Sequence, residues 1–130
     1  MRYLTENTRE VSAHFVVNGE GDITAMVPLN KSAHHAGAHN PYSHGIELSM
    51  PVLDRPYQDG HYHGLIACIR MINQWQRAQG YGEIPYVRRM SAFGSAGLIT
   101  HADTEQGRNQ GNKDPGPMFD WDKLLGMLVD

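Results

Sequence analysis

A single long amphipathic helix is predicted in the middle of the chain, over residues 61–79. Its apolar residues recur at the helical spacing i, i+3/4, i+7 and i+10: Leu65, Cys68, Ile69, Ile72 and Trp75. Asp59 is expected to cap the amino end of this helix, and Gly80 is expected to end it at the C′ position. A helix with one apolar stripe needs a second layer to cover that stripe, so the rest of the chain must supply a sheet or further helices.

Short β-type segments surround this helix. Residues 11–18 and 23–29 are rich in β-branched and apolar residues and flank a turn with two glycines, which predicts a hairpin. Residues 45–50 and 98–100 are predicted as two further strands, the first of them buried, and a last short helix is expected after Asp120. This order of elements predicts an α/β fold with a mixed central β-sheet flanked by helices.

Length and composition exclude several classes of protein. The 130 residues suit one domain, residues 1–130, with a single core. There are 11 Lys and Arg against 14 Asp and Glu, a net charge of −3, so a basic nucleic-acid-binding surface is excluded as the dominant feature. One cysteine cannot form an internal disulfide, and no apolar run approaches the roughly 20 residues that span a bilayer. The polar amino terminus has no apolar signal-peptide core, so a cytoplasmic location is predicted.

Three polar residues stand at strand ends or in loops, where catalytic groups concentrate. Glu47 lies within the segment GIEL, His101 follows LIT, and Asp114 precedes Pro-Gly-Pro. A carboxylate in a buried strand costs free energy unless it is paired or functional, and a histidine with an aspartate forms a competent pair of zinc ligands. The same three residues could instead form structural hydrogen bonds, so by themselves they leave a metal site and a structural role both open.

The order of several motifs resembles one family. VSAHF, HAG, HGIEL, THAD and DPGPMFDW, spread over residues 11–125, are similar to motifs of the zinc-dependent type-2 N-acetylmuramoyl-L-alanine amidases. This group includes phage amidase-type lysozymes, or endolysins, and is related to peptidoglycan-recognition proteins. DPGPMFDW after a strand-end histidine is a specific signal. The resemblance implies an amidase-like fold and hydrolysis of the amide between N-acetylmuramic acid and L-alanine in peptidoglycan or a muropeptide.

The resemblance also implies roles for single residues. His101 and Asp114 match two of the family's ligands for a zinc ion, Zn²⁺ being the implied cofactor. Glu47 matches the family's candidate general base, which would take a proton from the attacking water and pass it to the leaving amine.

Substrate contacts are implied in the same way. His35, in the HAG segment, and Asn40 match positions along the substrate cleft. The family usually has a basic residue two positions before the metal-binding aspartate, where it supports the oxyanion. That position is Asn112 here, and Lys113, one residue further on, is the candidate for this catalytic role.

One departure concerns the metal site. The family's first zinc ligand is a histidine at the end of an amino-terminal strand, and the sequence from Met1 has neither, so the sheet is expected to lack that strand. His35, or else His14, is a candidate for a replacement ligand. The alternative to an enzyme is therefore an inactive amidase-fold module that binds a muropeptide or a host protein, with an exposed sheet edge as a possible site for a protein partner. As an enzyme, the protein could act on the cell wall after release from the cytoplasm.

Several other residues have simpler interpretations. His14 is expected to be packed or to line a cleft rather than to bind metal, and Cys68 is expected in the core. Arg88 and Arg89 are expected to be a solvated loop pair. An aromatic group near them could form a wall for a glycan or could serve packing: Tyr81, Tyr86 and Phe93.

Overall fold

The strands and helices of the computed structural model follow the predicted order. The structure describes residues 13–31, 44–49, 55–89, 96–100, 115 and 118–129. Within these residues there are three strands and two helices: β1 (Phe15–Val17), β2 (Ile23–Ala25), β3 (Ile46–Leu48), α1 (Asp59–Ala78) and α2 (Trp121–Leu128). The predicted amino-terminal difference from the family falls on residues 1–12, which lie outside the described residues.

The three strands form a mixed sheet in the order β2-β1-β3. β1 and β2 are the predicted antiparallel hairpin, and the side chain of Asn18 shapes its turn by accepting hydrogen bonds from the N–H groups of Glu20 and Asp22, both at 3.0 Å. β1 and β3 run parallel, with Val16 opposite Glu47. The predicted α/β class with a mixed sheet is therefore confirmed.

Helix α1 covers one face of this sheet. Phe15 and Val17 of β1 pack against Cys68 and Ile72, two members of the predicted apolar stripe. Gly80 follows the helix with a φ of 81°, a left-handed conformation that favours glycine, as predicted for a C′ residue. The predicted amino-terminal cap was wrong by one residue, because Asp59 is the first residue of the helix and Gln58 is its N-cap.

A second group of buried side chains joins α1 to α2, and we call it the α1–α2 cluster. Its buried members are Tyr57, Tyr62, Leu65, Ile66, Ile69, Phe119, Leu124 and Leu128. Asp120 caps α2 as predicted, since its side chain accepts a hydrogen bond from the N–H of Lys123 at 3.0 Å. Side chains of β3 and Leu98 pack against the outside of this cluster, so it links the sheet to the carboxy-terminal segment.

The segment between the helices differs from its prediction. Leu98 forms one isolated parallel bridge with Arg88, where a short strand over 98–100 was expected. Arg88 and Arg89 are both half-buried, so the prediction of a solvated arginine pair was wrong. The guanidinium carbon of Arg88 lies 4.9 Å from the centre of the Trp121 ring. Arg89 donates a side-chain hydrogen bond to the carbonyl of Ala96 at 3.1 Å.

Helices that could span a membrane are absent from the described residues. None of the helices there has the length and apolar character that crossing a bilayer requires.

Candidate active site

Glu47 occupies the middle of β3, one residue before the strand ends. Its neighbours Ile46 and Leu48 pack against the apolar clusters beneath the sheet. Side chains alternate between the two faces of a strand, so Glu47 lies on the face opposite α1. This strand was predicted to be buried, but all three residues of β3 are half-buried. A half-buried carboxylate near the carboxyl end of a strand can both contact the core and reach a ligand in solvent.

The other predicted site residues lie outside the described residues: His35, Asn40, His101, Lys113 and Asp114. The structure does describe two residues that are covalently bonded to predicted ligands. Thr100, which precedes His101, is buried with 7% of its surface exposed. Pro115, which follows Asp114, accepts a hydrogen bond from a side chain of the core.

That side chain is Tyr57, two residues before α1 begins. Its hydroxyl donates to the carbonyl oxygen of Pro115 at 2.7 Å. The Tyr57 ring is buried and makes edge-to-face contacts with His61, at 5.2 Å between ring centres, and with Phe119, at 5.5 Å. The start of the DPGP motif is therefore attached to the amino end of α1.

His61 connects the same turn to the end of β3. Its Nε2–H donates to the carbonyl oxygen of Ser49 at 2.8 Å, and its Nδ1 accepts from the N–H of Gln58 at 3.1 Å. The second bond is the return half of a capping box, in which the side chain at the third helical position satisfies a free N–H at the helix start. Ser49 lies two residues after Glu47. His61, whose ring contacts Tyr57, therefore also holds the end of the strand that carries the candidate base.

A second tyrosine holds the segment that follows the DPGP motif. The hydroxyl of Tyr62 accepts a hydrogen bond from the N–H of Asp120 at 2.9 Å, and its ring stacks on Phe119 with the two planes 26° apart. Sequence reasoning missed this role of Tyr62 and the hydroxyl contact of Tyr57. A buried tyrosine needs a hydrogen-bond partner for its hydroxyl, so the sequence indicates that such a bond exists. It does not indicate which residue is the partner.

His14 is excluded as a replacement metal ligand in this structure, because both of its ring nitrogens are occupied. Nδ1 accepts from the N–H of Gly45 at 3.0 Å, and Nε2–H donates to the carbonyl oxygen of Lys31 at 2.7 Å. The side chain is fully buried, and the His44 ring stands edge-on to it at 4.7 Å. The expectation of a packed histidine is confirmed.

Lower pH should destabilise the protein through His14. Burial lowers the pKa of His14 from 6.5, more than the hydrogen bond to Lys31 raises it. The unfolded chain therefore binds a proton at His14 more readily than the folded chain does. The contribution of His14 to the free energy of unfolding is present above pH 6.5 and is lost as the pH falls through the lowered pKa of the folded state. We expect the free energy of unfolding, measured with denaturant from about pH 8 to about pH 5, to fall less steeply in His14→Gln than in the wild type. An unchanged slope in His14→Gln would contradict the assignment.

Cys68 behaves as the predicted core residue. It is fully buried, and burial raises the pKa of its thiol to about 12. A thiol with such a pKa is almost entirely protonated near neutral pH, and it is a poor nucleophile or metal ligand in that form. Among the aromatic residues, Tyr86 packs against the α1–α2 cluster, whereas Tyr81 is exposed beside Trp75. Phe93 lies outside the described residues.

The donor chemistry of the predicted metal site fits zinc, since imidazole and carboxylate are both common zinc ligands. Within the described part of the chain, no group of three or more His, Cys, Asp and Glu residues could hold a metal ion. Of the residues next to the two predicted ligands, Pro115 is hydrogen-bonded to the buried Tyr57, and Thr100 is itself buried.

Comparisons with known proteins point to one family. Residues 2–117 match the sequence model described as N-acetylmuramoyl-L-alanine amidase. A 1,6-anhydro-N-acetylmuramyl-L-alanine amidase, AmpD, from Enterobacter cloacae is 29% identical over 127 residues, which are 92% of this chain and 58% of that protein. The crystal structure of a Se-Met AmpD derivative superimposes with a TM-score of 0.64 at 30% identity, covering 91% of this chain and 60% of the other.

A more distant structure shares the fold. The N-acetylmuramoyl-L-alanine amidase LysC from Clostridium intestinale URNW gives a TM-score of 0.63 at 20% identity, covering 90% of this chain and 64% of that one. The chain therefore spans about three-fifths of the length of the proteins it resembles.

Proposed function

Because the chain belongs to the N-acetylmuramoyl-L-alanine amidase family, we propose that it hydrolyses the amide between N-acetylmuramic acid and L-alanine, in peptidoglycan or in soluble muropeptides. One observation carries the proposal. The segment that contains Glu47 and the segment that follows Asp114 are held by two side chains of a single turn, His61 and Tyr57, whose ring centres are 5.2 Å apart. A carboxylate base and a metal-binding carboxylate must lie close together for this reaction, and the attachment of Ser49 and Pro115 to one turn supports that arrangement.

Zinc is the cofactor of the proposed reaction, with His101 and Asp114 as two of its ligands. When bound, zinc polarises an amide carbonyl and lowers the pKa of a coordinated water towards ~7. Glu47 accepts the proton of the attacking water and donates it to the nitrogen of the leaving L-alanine. General acid–base assistance is needed at both stages, because an amide nitrogen is a poor leaving group until it is protonated.

The remaining predicted residues act on the substrate. Lys113 places a positive charge near the carbonyl oxygen, where negative charge develops as the tetrahedral intermediate forms. His35 and Asn40 offer hydrogen bonds along the cleft and orient the muramyl peptide. His35 and Asn40 thus bind and orient the substrate, Lys113 stabilises the developing negative charge, and Glu47 transfers the proton.

The direct test is peptide release by purified protein. The protein is supplied with zinc, freed of excess metal and incubated with a defined muropeptide and with purified peptidoglycan, and the products are separated by mass spectrometry. We expect release of the intact stem peptide with a free L-alanine amino group, and loss of release after chelation of the metal. Protein that holds about one zinc per chain and releases no peptide would contradict the proposal.

The second candidate function is a binding module without hydrolysis. Catalytic zinc sites normally have three protein ligands, and two are identified here. Among the described strands β2 is at the edge of the sheet, and its Thr24 and Ala25 are exposed, so a partner strand could pair there. Retention of a muropeptide in equilibrium dialysis with no peptide release and no bound zinc would favour this module over the enzyme.

A further inference from the structure

Two buried histidines hold the strand that carries Glu47, one at each end. Nδ1 of His14 accepts a hydrogen bond from the N–H of Gly45 at 3.0 Å, and Nε2–H of His61 donates to the carbonyl oxygen of Ser49 at 2.8 Å. Gly45 lies two residues before Glu47, and Ser49 lies two residues after it. The candidate general base is therefore midway between two attachments made by side chains.

These attachments matter because the pairing of β3 itself is limited. The strand has three residues, and among the described strands it lies at an edge of the sheet, paired with β1. Backbone hydrogen bonds at the ends of a short strand open more easily than those in the centre of a sheet. The two histidines therefore restrain β3 at the points where its ladder is weakest.

Both histidine rings are themselves fixed by their surroundings. His14 is 0% exposed and His61 is 3% exposed. The second ring nitrogen of each is also hydrogen-bonded, to the carbonyl oxygen of Lys31 for His14 and to the N–H of Gln58 for His61. Another ring stands edge-on to each, with ring centres 4.7 Å and 5.2 Å apart. Neither ring can turn without losing two hydrogen bonds and its packing, so both can determine the position of the backbone they bind.

We propose that His14 and His61 are positioning residues for Glu47: together they hold the backbone of β3 and so set the direction in which the Glu47 carboxylate projects. The inference rests on the proposed function, because it takes Glu47 as the general base. Both histidines act through the backbone and not on the substrate. A general base must reach its proton across roughly 2.6–3.2 Å, and a displacement of about 1 Å can cost about 100-fold in rate.

Asn73 of α1 provides a matched control. Its side chain is 3% exposed, and it makes one hydrogen bond as donor and one as acceptor, as each histidine does. The amide nitrogen donates to the carbonyl oxygen of Ile84 at 3.0 Å, and Oδ1 accepts from the N–H of Ile84 at 2.8 Å. These bonds hold the segment after α1 instead of β3. Asn73→Leu therefore removes two backbone attachments from a buried side chain without touching the strand of Glu47.

The kinetic test uses the full chain supplied with zinc and a defined muropeptide. The variants His14→Phe and His61→Phe keep a planar ring and remove both polar atoms. We expect kcat for peptide release to fall roughly tenfold or more in each, with KM unchanged, because the base is displaced and the substrate contacts are not. Asn73→Leu should keep the wild-type kcat and KM at a comparable loss in melting temperature.

Two further measurements separate positioning from general support of the fold. In the Glu47→Gln background, His61→Phe should leave kcat unchanged, because the group that it displaces is already absent; a general loss of structure would lower kcat by the same factor in both backgrounds. The N–H of Ser49, which donates to the carbonyl oxygen of Val17 at 2.7 Å, should exchange with solvent faster in both histidine variants than in Asn73→Leu.

Several results overturn the inference. Wild-type kcat in either histidine variant shows that its bond does not position the base. An equal fall in Asn73→Leu, an equal factor in both backgrounds, or a histidine variant that fails to fold while Asn73→Leu folds shows general support of the fold. A wild type that releases no peptide refutes the proposed hydrolysis. The exchange rate at Ser49 then decides separately whether the two histidines hold β3.

Discussion

Glu47→Gln is expected to reduce release of the stem peptide by roughly 10²- to 10⁴-fold, the usual contribution of a general acid–base group. Glutamine has nearly the same shape as glutamate, so β3 should keep its pairing with β1 and its place above the core. The amide cannot accept the proton of the attacking water, and this loss is specific to the chemical step. The measurement is kcat for peptide release from a defined muropeptide, with zinc content determined on the same sample.

Glu20→Gln is the matched control for this variant. Glu20 is an exposed glutamate in the turn between β1 and β2, and the change removes the same negative charge. We expect it to retain wild-type peptide release. If Glu47→Gln kept wild-type kcat while its zinc content was also unchanged, Glu47 would be a structural strand residue and the base would have to be sought elsewhere.

Asp114→Ala is expected to abolish both zinc retention and peptide release while the domain stays folded. The carboxylate is one of two identified ligands, and His101 alone should not hold zinc, since a catalytic zinc normally has three protein ligands. The segment around Asp114 is polar and rich in glycine, so removal of the carboxylate should leave no cavity in the core. The measurement is zinc per chain after gel filtration, together with the melting temperature of the same sample.

Asp122→Ala controls for the loss of an acidic residue near this segment. Asp122 is exposed in the first turn of α2, and its replacement should leave zinc content unchanged. The rival structural role of Asp114, as a cap or turn residue, gives the opposite pattern for Asp114→Ala. Stability would then fall by ~1 kcal/mol with no change in zinc content, and that result would remove Asp114 from the metal site.

Local patterns in the sequence determined the elements of this fold. The apolar stripe of α1, the turn between β1 and β2, the glycine after α1 and the Asp120 cap of α2 were all predicted and are all present. Each of these features depends on residues only a few positions apart in the sequence, so the helical and strand periodicities are enough to predict it. The motifs HGIEL and DPGPMFDW likewise indicated the family, because their order along the chain is itself a sequence property.

Tertiary structure alone decided how the parts of the candidate site are attached to one another. No local pattern pairs Tyr57 with Pro115, His61 with Ser49 or Tyr62 with Asp120. The same holds for the Arg88 guanidinium, which lies against the Trp121 ring instead of in solvent. A buried tyrosine or histidine needs a hydrogen-bond partner, but any backbone group without another partner could fill that role. The partner is chosen by which segments come within about 3 Å when the helices and the sheet pack, and that distance depends on the whole core at once.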